Sequence, residues 1–249
     1  MTDLFEEVEE QLRSDRYKQF VQGALPWMLG IAAIVLVAFL GYWGYDSYRN
    51  TQITKASEQY SAGIDAFAAG DQVKAQRLWT EVSKSDAKAY KSLALMHLGA
   101  SAVEAGKSAD AVKLFDDAAL AATDPLVGDA ARLKSAFALL DTAPLKELEG
   151  RLQPLMEEGH PYRVQAREAL AFAKLNAGDL TGARGEFVLI SQSLDAQQGA
   201  QARAQAAIGL IDSGSAKAVP AVVKAAKALP PMPAAPVAAQ PQPQGPAPQ

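Results

Sequence analysis

The sequence predicts an all-α protein: one N-terminal helix of membrane-spanning length, then an α-solenoid of helix hairpins. Three observations lead there. Aromatic residues make up only 7% of a chain that is 49% apolar and rich in alanine, a composition that suits closely packed helices rather than β-sheets. Residues 26–45 read PWMLGIAAIVLVAFLGYWGY, without a charged side chain. Beyond them, glycine turns recur in steps of 36 residues, and a fixed period marks stacked repeats.

The length, 249 residues, allows one or two domains and exceeds what a single core needs. The absence of cysteine excludes disulfides, thiolate metal sites and cysteine nucleophiles. Two histidines and a net charge of −4, from 24 Lys and Arg against 28 Asp and Glu, argue against histidine-cluster metals and a nucleic-acid surface.

The first element is residues 1–25. Leu4, Phe5, Val8 and Leu12 fall at helical spacing among carboxylates, which predicts a short amphipathic helix. It serves either as a docking helix for a cytosolic partner or as a solvated lead-in whose charges fix topology. Gly23 and Pro26 are expected to break it from the next element.

Residues 26–45 are that element. Twenty residues at about 1.5 Å each reach roughly 30 Å, the hydrocarbon thickness of a bilayer. Trp27 stands at one end and Tyr42, Trp43 and Tyr45 at the other, where amphipathic rings settle at headgroup level and would meet membrane lipid. The leading segment is acidic and no small-x-small site follows Tyr45, so the reading is an uncleaved anchor rather than a signal peptide. Arg13, Arg16 and Lys18 precede it, and Arg49 and Lys55 follow; this slight excess puts the N-terminus in the cytoplasm and the C-terminal domain outside.

Residues 46–229 form the repeat domain. Gly70, Gly106, Gly178 and Gly214 are separated by 36, 72 and 36 residues. The skipped position is Thr142, inside the breaker LDTAP. Five residues after the glycine stand Ala75, Ala111 and Ala183, and nine after it Trp79, Phe115 and Phe187. Leu98 and Gly99 occupy the second unit's first helix, with Ala118 in its second and Pro125 beyond. The pattern resembles a degenerate tetratricopeptide repeat: small residues let helices A and B approach, and the aromatic fills the gap. The third unit lacks the turn glycine and the alanine, and the fifth has Val219 in the alanine position and reads as a C-terminal cap. Residues 230–249 hold eight prolines and no charge, which predicts a disordered tail of polyproline character.

Several short motifs imitate catalytic ones. Gly106-Lys107-Ser108 lacks a glycine five residues earlier, where Ser101 stands, and follows a helical pattern rather than a strand, so it is a repeat turn and not a phosphate loop. Gly178, Gly182 and Gly185 fail likewise. Asp116-Asp117 and Glu157-Glu158 are sequence neighbours, which point apart on a helix and make no acid–base pair. His97 has no acidic or histidine partner at ligand spacing, and His160 lies in a Gly-His-Pro linker. No catalytic, cofactor or metal residues are assigned, and the protein reads as a non-enzyme.

Resemblance to the repeat implies a concave surface lined by helix A at its second, fifth, ninth and twelfth positions. The larger side chains there are Tyr60, Ile64, Phe67, Leu93, Met96, Val103, Phe172, Leu175, Ile208 and Ile211. About half are expected to pack between repeats. The rest would form an apolar groove suited to extended hydrophobic segments or a partner helix.

The segment DLFEEVEEQLRSDR, the apolar stretch ending in GYWGYDSYRNTQ and the degenerate repeats together resemble the YfgM-like ancillary subunits of the SecYEG translocon over residues 3–229. That resemblance implies a bacterial inner-membrane protein with a cytoplasmic N-terminus and a periplasmic repeat domain. Its implied partners are the SecYEG translocon and exported polypeptides or periplasmic chaperones. The proline-rich tail departs from the family pattern. The alternatives are a scaffold for another envelope assembly, such as cytochrome c maturation or outer-membrane protein insertion, and an enzyme or its regulatory subunit, for which the groove offers no polar cluster.

Overall fold

The computed structural model describes the backbone of residues 3–219, 221, 222 and 225, with side chains from Trp27 onward. The expected disordered tail 230–249 lies outside these residues, as do the side chains of segment 1–25. Among the described residues every regular element is helical.

α1 (Asp3–Ala68) is one helix of 66 residues, roughly 100 Å long. The expected break at Gly23–Pro26 does not occur, because α1 runs through both. A proline removes one backbone hydrogen bond and kinks a helix, but Ala24, Leu25, Trp27, Met28 and Leu29 around it are acceptable or good helix formers. The helix also passes from the apolar stretch into helix A of the first repeat with no loop between. The side chains of residues 27–45 are all exposed, and this part of α1 is long and apolar enough to cross a membrane.

The chain divides into two compact units, Met1–Ala131 and Arg132–Gln249. The first holds α1, α2 (Gln72–Ser83), α3 (Lys88–Glu104), α4 (Ser108–Ala121) and the start of α5 (Pro125–Leu139). The second holds the rest of α5, α6 (Leu145–Leu152), α7 (Arg163–Asn176), α8 (Leu180–Ser191) and α9 (Gln198–Asp212). Short 3₁₀ turns follow α6 at Gln153–Met156 and α9 at Ser215–Ala218.

The glycine period has a backbone cause. Gly70, Gly106, Gly178 and Gly214 all have positive φ, between 71° and 82°, the left-handed conformation that ends a helix and that glycine adopts without steric cost. At Gly70, the amide bonds to the Phe67 carbonyl at 2.9 Å and the next amide, of Asp71, to Ala66 at 2.9 Å. The same pair recurs at Gly106 with Val103 and Ala102, and at Gly178 with Leu175 and Lys174. Orphan carbonyls are thus satisfied while the chain reverses. Asp71 and Asp179 then cap the next helix, accepting from the amides of Lys74 and Gly182. The third unit uses another device: α5 ends through hydrogen bonds from Thr142 and Ala143 to Leu139, and Pro144 precedes α6.

Ala75, Ala111 and Ala183 are fully buried, as are Trp79, Phe115 and Phe187. What receives each aromatic is a small residue on helix A. A methyl group on Gly63 would lie 2.5 Å from the Trp79 Nε1, and one on Gly99 would lie 2.6 Å from the Phe115 ring. The same 36-residue step continues to Ser135, Ala171 and Ala207, all buried. In the third unit the aromatic position is Arg151, whose guanidinium donates to the Ser135 hydroxyl at 3.1 Å and to Glu147 at 3.3 Å. A polar pair therefore replaces the glycine–aromatic contact in that repeat, while Leu148, Leu152 and Leu155 supply its core.

Candidate interaction surface

In the first unit, α1 and α3 present helix-A positions. Tyr60 and Ile64 are half-buried against the core that contains Ala56, Trp79, Val82 and Ala87. The Tyr60 hydroxyl is hydrogen-bonded to Nε2 of His97 at 3.0 Å, and its ring meets those of Tyr90 and His97 at 5.8 and 5.7 Å. Burial, with Tyr90 adding to it, pushes the Tyr60 phenol above its ordinary pKa. His97 stacks on Trp79 with centroids 4.3 Å apart and planes 15° from parallel. The histidine is therefore part of an aromatic cluster.

Leu93 and Met96 are half-buried, with Met96 packed beside Leu95 and Ala118. Phe67 and Val103, 36 residues apart in the last turns of their helices, are the open members, 45% and 46% exposed. Phe67 leans on Trp79 at a centroid distance of 5.8 Å, so its ring is fixed on one side and free on the other. The surface of this unit is thus an aromatic and aliphatic strip held by packing.

The second unit differs from the sequence expectation. Leu175 is only 7% exposed and belongs to the core with Ala183, Phe187 and Ile190, so it lines no groove. Its place in the last turn of α7 matches Phe67 and Val103 in register, but here the side chain is covered by α8. Phe172 is half-buried, edge-on to Phe187 at 5.2 Å, and Ile208 and Ile211 are half-buried against the same core.

What this unit opens instead is a polar cleft of about 420 Å³ lined by His160, Arg163, Gln165, Glu168, Gln197 and Arg203, among others. Arg203 grips Glu168 through two hydrogen bonds of 2.7 and 2.9 Å, and Arg163 pairs with Asp195. Both guanidiniums are thereby neutralised within the chain. Among the expected groove residues, the exposed apolar side chains Phe67 and Val103 stand in the first unit, while the cleft of the second is lined by polar ones. The signal was in the sequence, since Gln165 and Glu168 fill the second and fifth positions of the fourth repeat.

Further ion pairs tie this unit together. Glu186 accepts from Arg167 at 2.8 Å and from Lys174 at 2.9 Å. Arg184 holds Asp212 at 2.7 and 3.0 Å, and the hydrogen bonds from that guanidinium keep the Asp212 carboxyl below its ordinary pKa.

Helix hairpins closed by left-handed glycines, with small residues of helix A seated under aromatics of helix B, define a helical repeat protein. The chain matches the tetratricopeptide repeat-like domain over residues 18–205 and belongs to that family. Such domains act in protein–protein interaction. No curated protein and no solved structure matches the chain.

Proposed function

We propose that this protein is a non-enzymatic, membrane-anchored interaction protein ancillary to the SecYEG translocon. Its repeat domain engages exported polypeptides or periplasmic chaperones, its N-terminus is cytoplasmic, and residues 26–45 form its single span. One observation carries the reading: a helix long and apolar enough to span a membrane continues without a break into helix A of a tetratricopeptide-like domain. That joint holds an interaction surface close to a bilayer. The resemblance of the N-terminal segment and its junction to the YfgM-like subunits supports the particular complex.

In this reading Phe67 and Val103 offer apolar contact to an extended client, with Tyr60, Ile64, Leu93 and Met96 forming the floor between them. In the second unit Phe172, Ile208 and Ile211 border the surface, and the paired charges of the cleft would favour polar main-chain contacts over an acidic terminus. Co-purification from native membranes tests this. Phe67→Glu should reduce recovery of many exported proteins together while leaving the far-UV spectrum of the protein unchanged. Unaltered recovery would contradict the groove assignment, and a single stoichiometric partner would favour a dedicated scaffold.

A further inference from the structure

The direction of α1 sorts the two edges of the first unit. α1 and α3 run from the end nearest residues 26–45 towards the glycine turns, and α2 and α4 return. The turns at Gly70 and Gly106 therefore form a far edge. The loop between α2 and α3 and the end of α4 form a near edge. Ala56, Val82 and Ala87 share one core cluster, which places the near edge level with Ala56, 11 residues beyond Tyr45 in the same helix.

Two leucines at that edge lie outside the core clusters of the described residues. Leu120, in the last turn of α4, is 84% exposed, and Leu126, in the first turn of α5, is 49% exposed. In the flanking turns and loops of the same edge, Lys84, Lys88 and Lys91 balance Glu81, Asp86 and Asp124, with Lys84 paired to Glu81. An exposed apolar pair in a neutral setting is suited to a surface that covers it without supplying counter-charge.

We infer that the near edge of the first unit rests on the lipid bilayer, with Leu120 and Leu126 entering the headgroup layer. The inference rests on residues 26–45 being a membrane anchor. Eleven residues carry Ala56 roughly 16 Å past Tyr45, and the polar layer of one leaflet accounts for roughly 5–8 Å of that. Leu120 lies about two helix spacings from the α1 axis, roughly 20 Å. A tilt of about 20°, ordinary for a single span, lowers such a point by roughly 7 Å, and a leucine side chain closes most of what is left. Because the contact is intramolecular once α1 is inserted, weak burial suffices. The lysines and carboxylates nearly cancel, so the contact is insensitive to salt.

The chain contains no cysteine, so single labels can be placed on the full-length protein without other changes. Leu120→Cys, Val73→Cys and Val37→Cys would each carry an environment-sensitive fluorophore in phosphatidylethanolamine–phosphatidylglycerol nanodiscs. Val73 is 82% exposed beside the Gly70 turn at the far edge. The expected result is a blue-shifted Leu120 label, quenched several-fold more by headgroup spin-labelled lipid than the Val73 label and unchanged in high salt. Quenching at Val37 with none at Leu120 beyond that at Val73 would overturn the inference while leaving the anchor standing. No quenching at Val37 would overturn both.

Discussion

Gly99→Ala isolates the contact on which the repeat depends. A methyl group at this position would lie 2.6, 2.8 and 2.9 Å from Cε1, Cδ1 and Cζ of Phe115, about 1 Å inside the optimal carbon–carbon separation. Phe115 is buried in the core and cannot swing away, so helices α3 and α4 must separate. Overpacking of this kind costs about 1–3 kcal/mol. Alanine returns about 1 kcal/mol of helix propensity, leaving a net loss of up to about 2 kcal/mol, or up to roughly 8 °C in Tm. Gly185→Ala is the matched control, for nothing lies within 4 Å of its added methyl in α8, and it should gain about 0.5–1 kcal/mol from propensity alone. Both are read by thermal circular dichroism of the full chain in detergent. The reasoning is refuted if Gly99→Ala melts as high as Gly185→Ala, or if Phe115→Leu does not relieve its effect.

Other outcomes follow from the same geometry. The indole N–H of Trp79 is buried without a hydrogen-bond partner among the described residues, a state that costs about 1–3 kcal/mol; Trp79→Phe, the residue found at 115 and 187, should therefore keep stability within about 1 kcal/mol in a melt despite losing area. Trp79→Ala should lose about 3–5 kcal/mol by the same measurement. Gly178→Ala forces a β-carbon into φ +82° and should cost about 1–2 kcal/mol, with Asn at that position recovering part of it. The Asp212 carboxyl, held below its ordinary pKa by Arg184, contributes stability that is present above the ordinary carboxylate value and disappears as pH falls through its lowered one. Asp212→Asn should therefore flatten the acid limb of a Tm-against-pH curve and leave its alkaline side unchanged.

The helical class, the long apolar segment and the hairpin period were legible because each rests on local chemistry. A glycine at positive φ leaves its mark every 36 residues, and the buried alanine and aromatic keep register with it. The complementary small positions, Gly63, Ser135, Ala171 and Ala207, keep the same period as Gly99 but escape notice because three different residue types satisfy one steric need. Arg151 shows the limit of pattern reading. It occupies an aromatic position, and only its bond to Ser135 shows what takes the place of the aromatic contact. Groove membership was the least legible property. Phe67, Val103 and Leu175 are equivalent in sequence register, yet the first two are open and the third is core, because exposure in a last turn depends on how closely helix B covers it. The continuity of α1 through Pro26 was missed because a proline signal is local, whereas the helix formers around it act over many residues.

The most direct test of the central claim places a photoreactive residue at Phe67 in the full-length protein and identifies its adducts in native membranes by mass spectrometry. Adducts to translocon subunits together with many exported proteins, lost on competition with unfolded peptide, are the expected result. Adducts to one recurrent partner from another assembly, with no translocon or exported proteins, would contradict that claim.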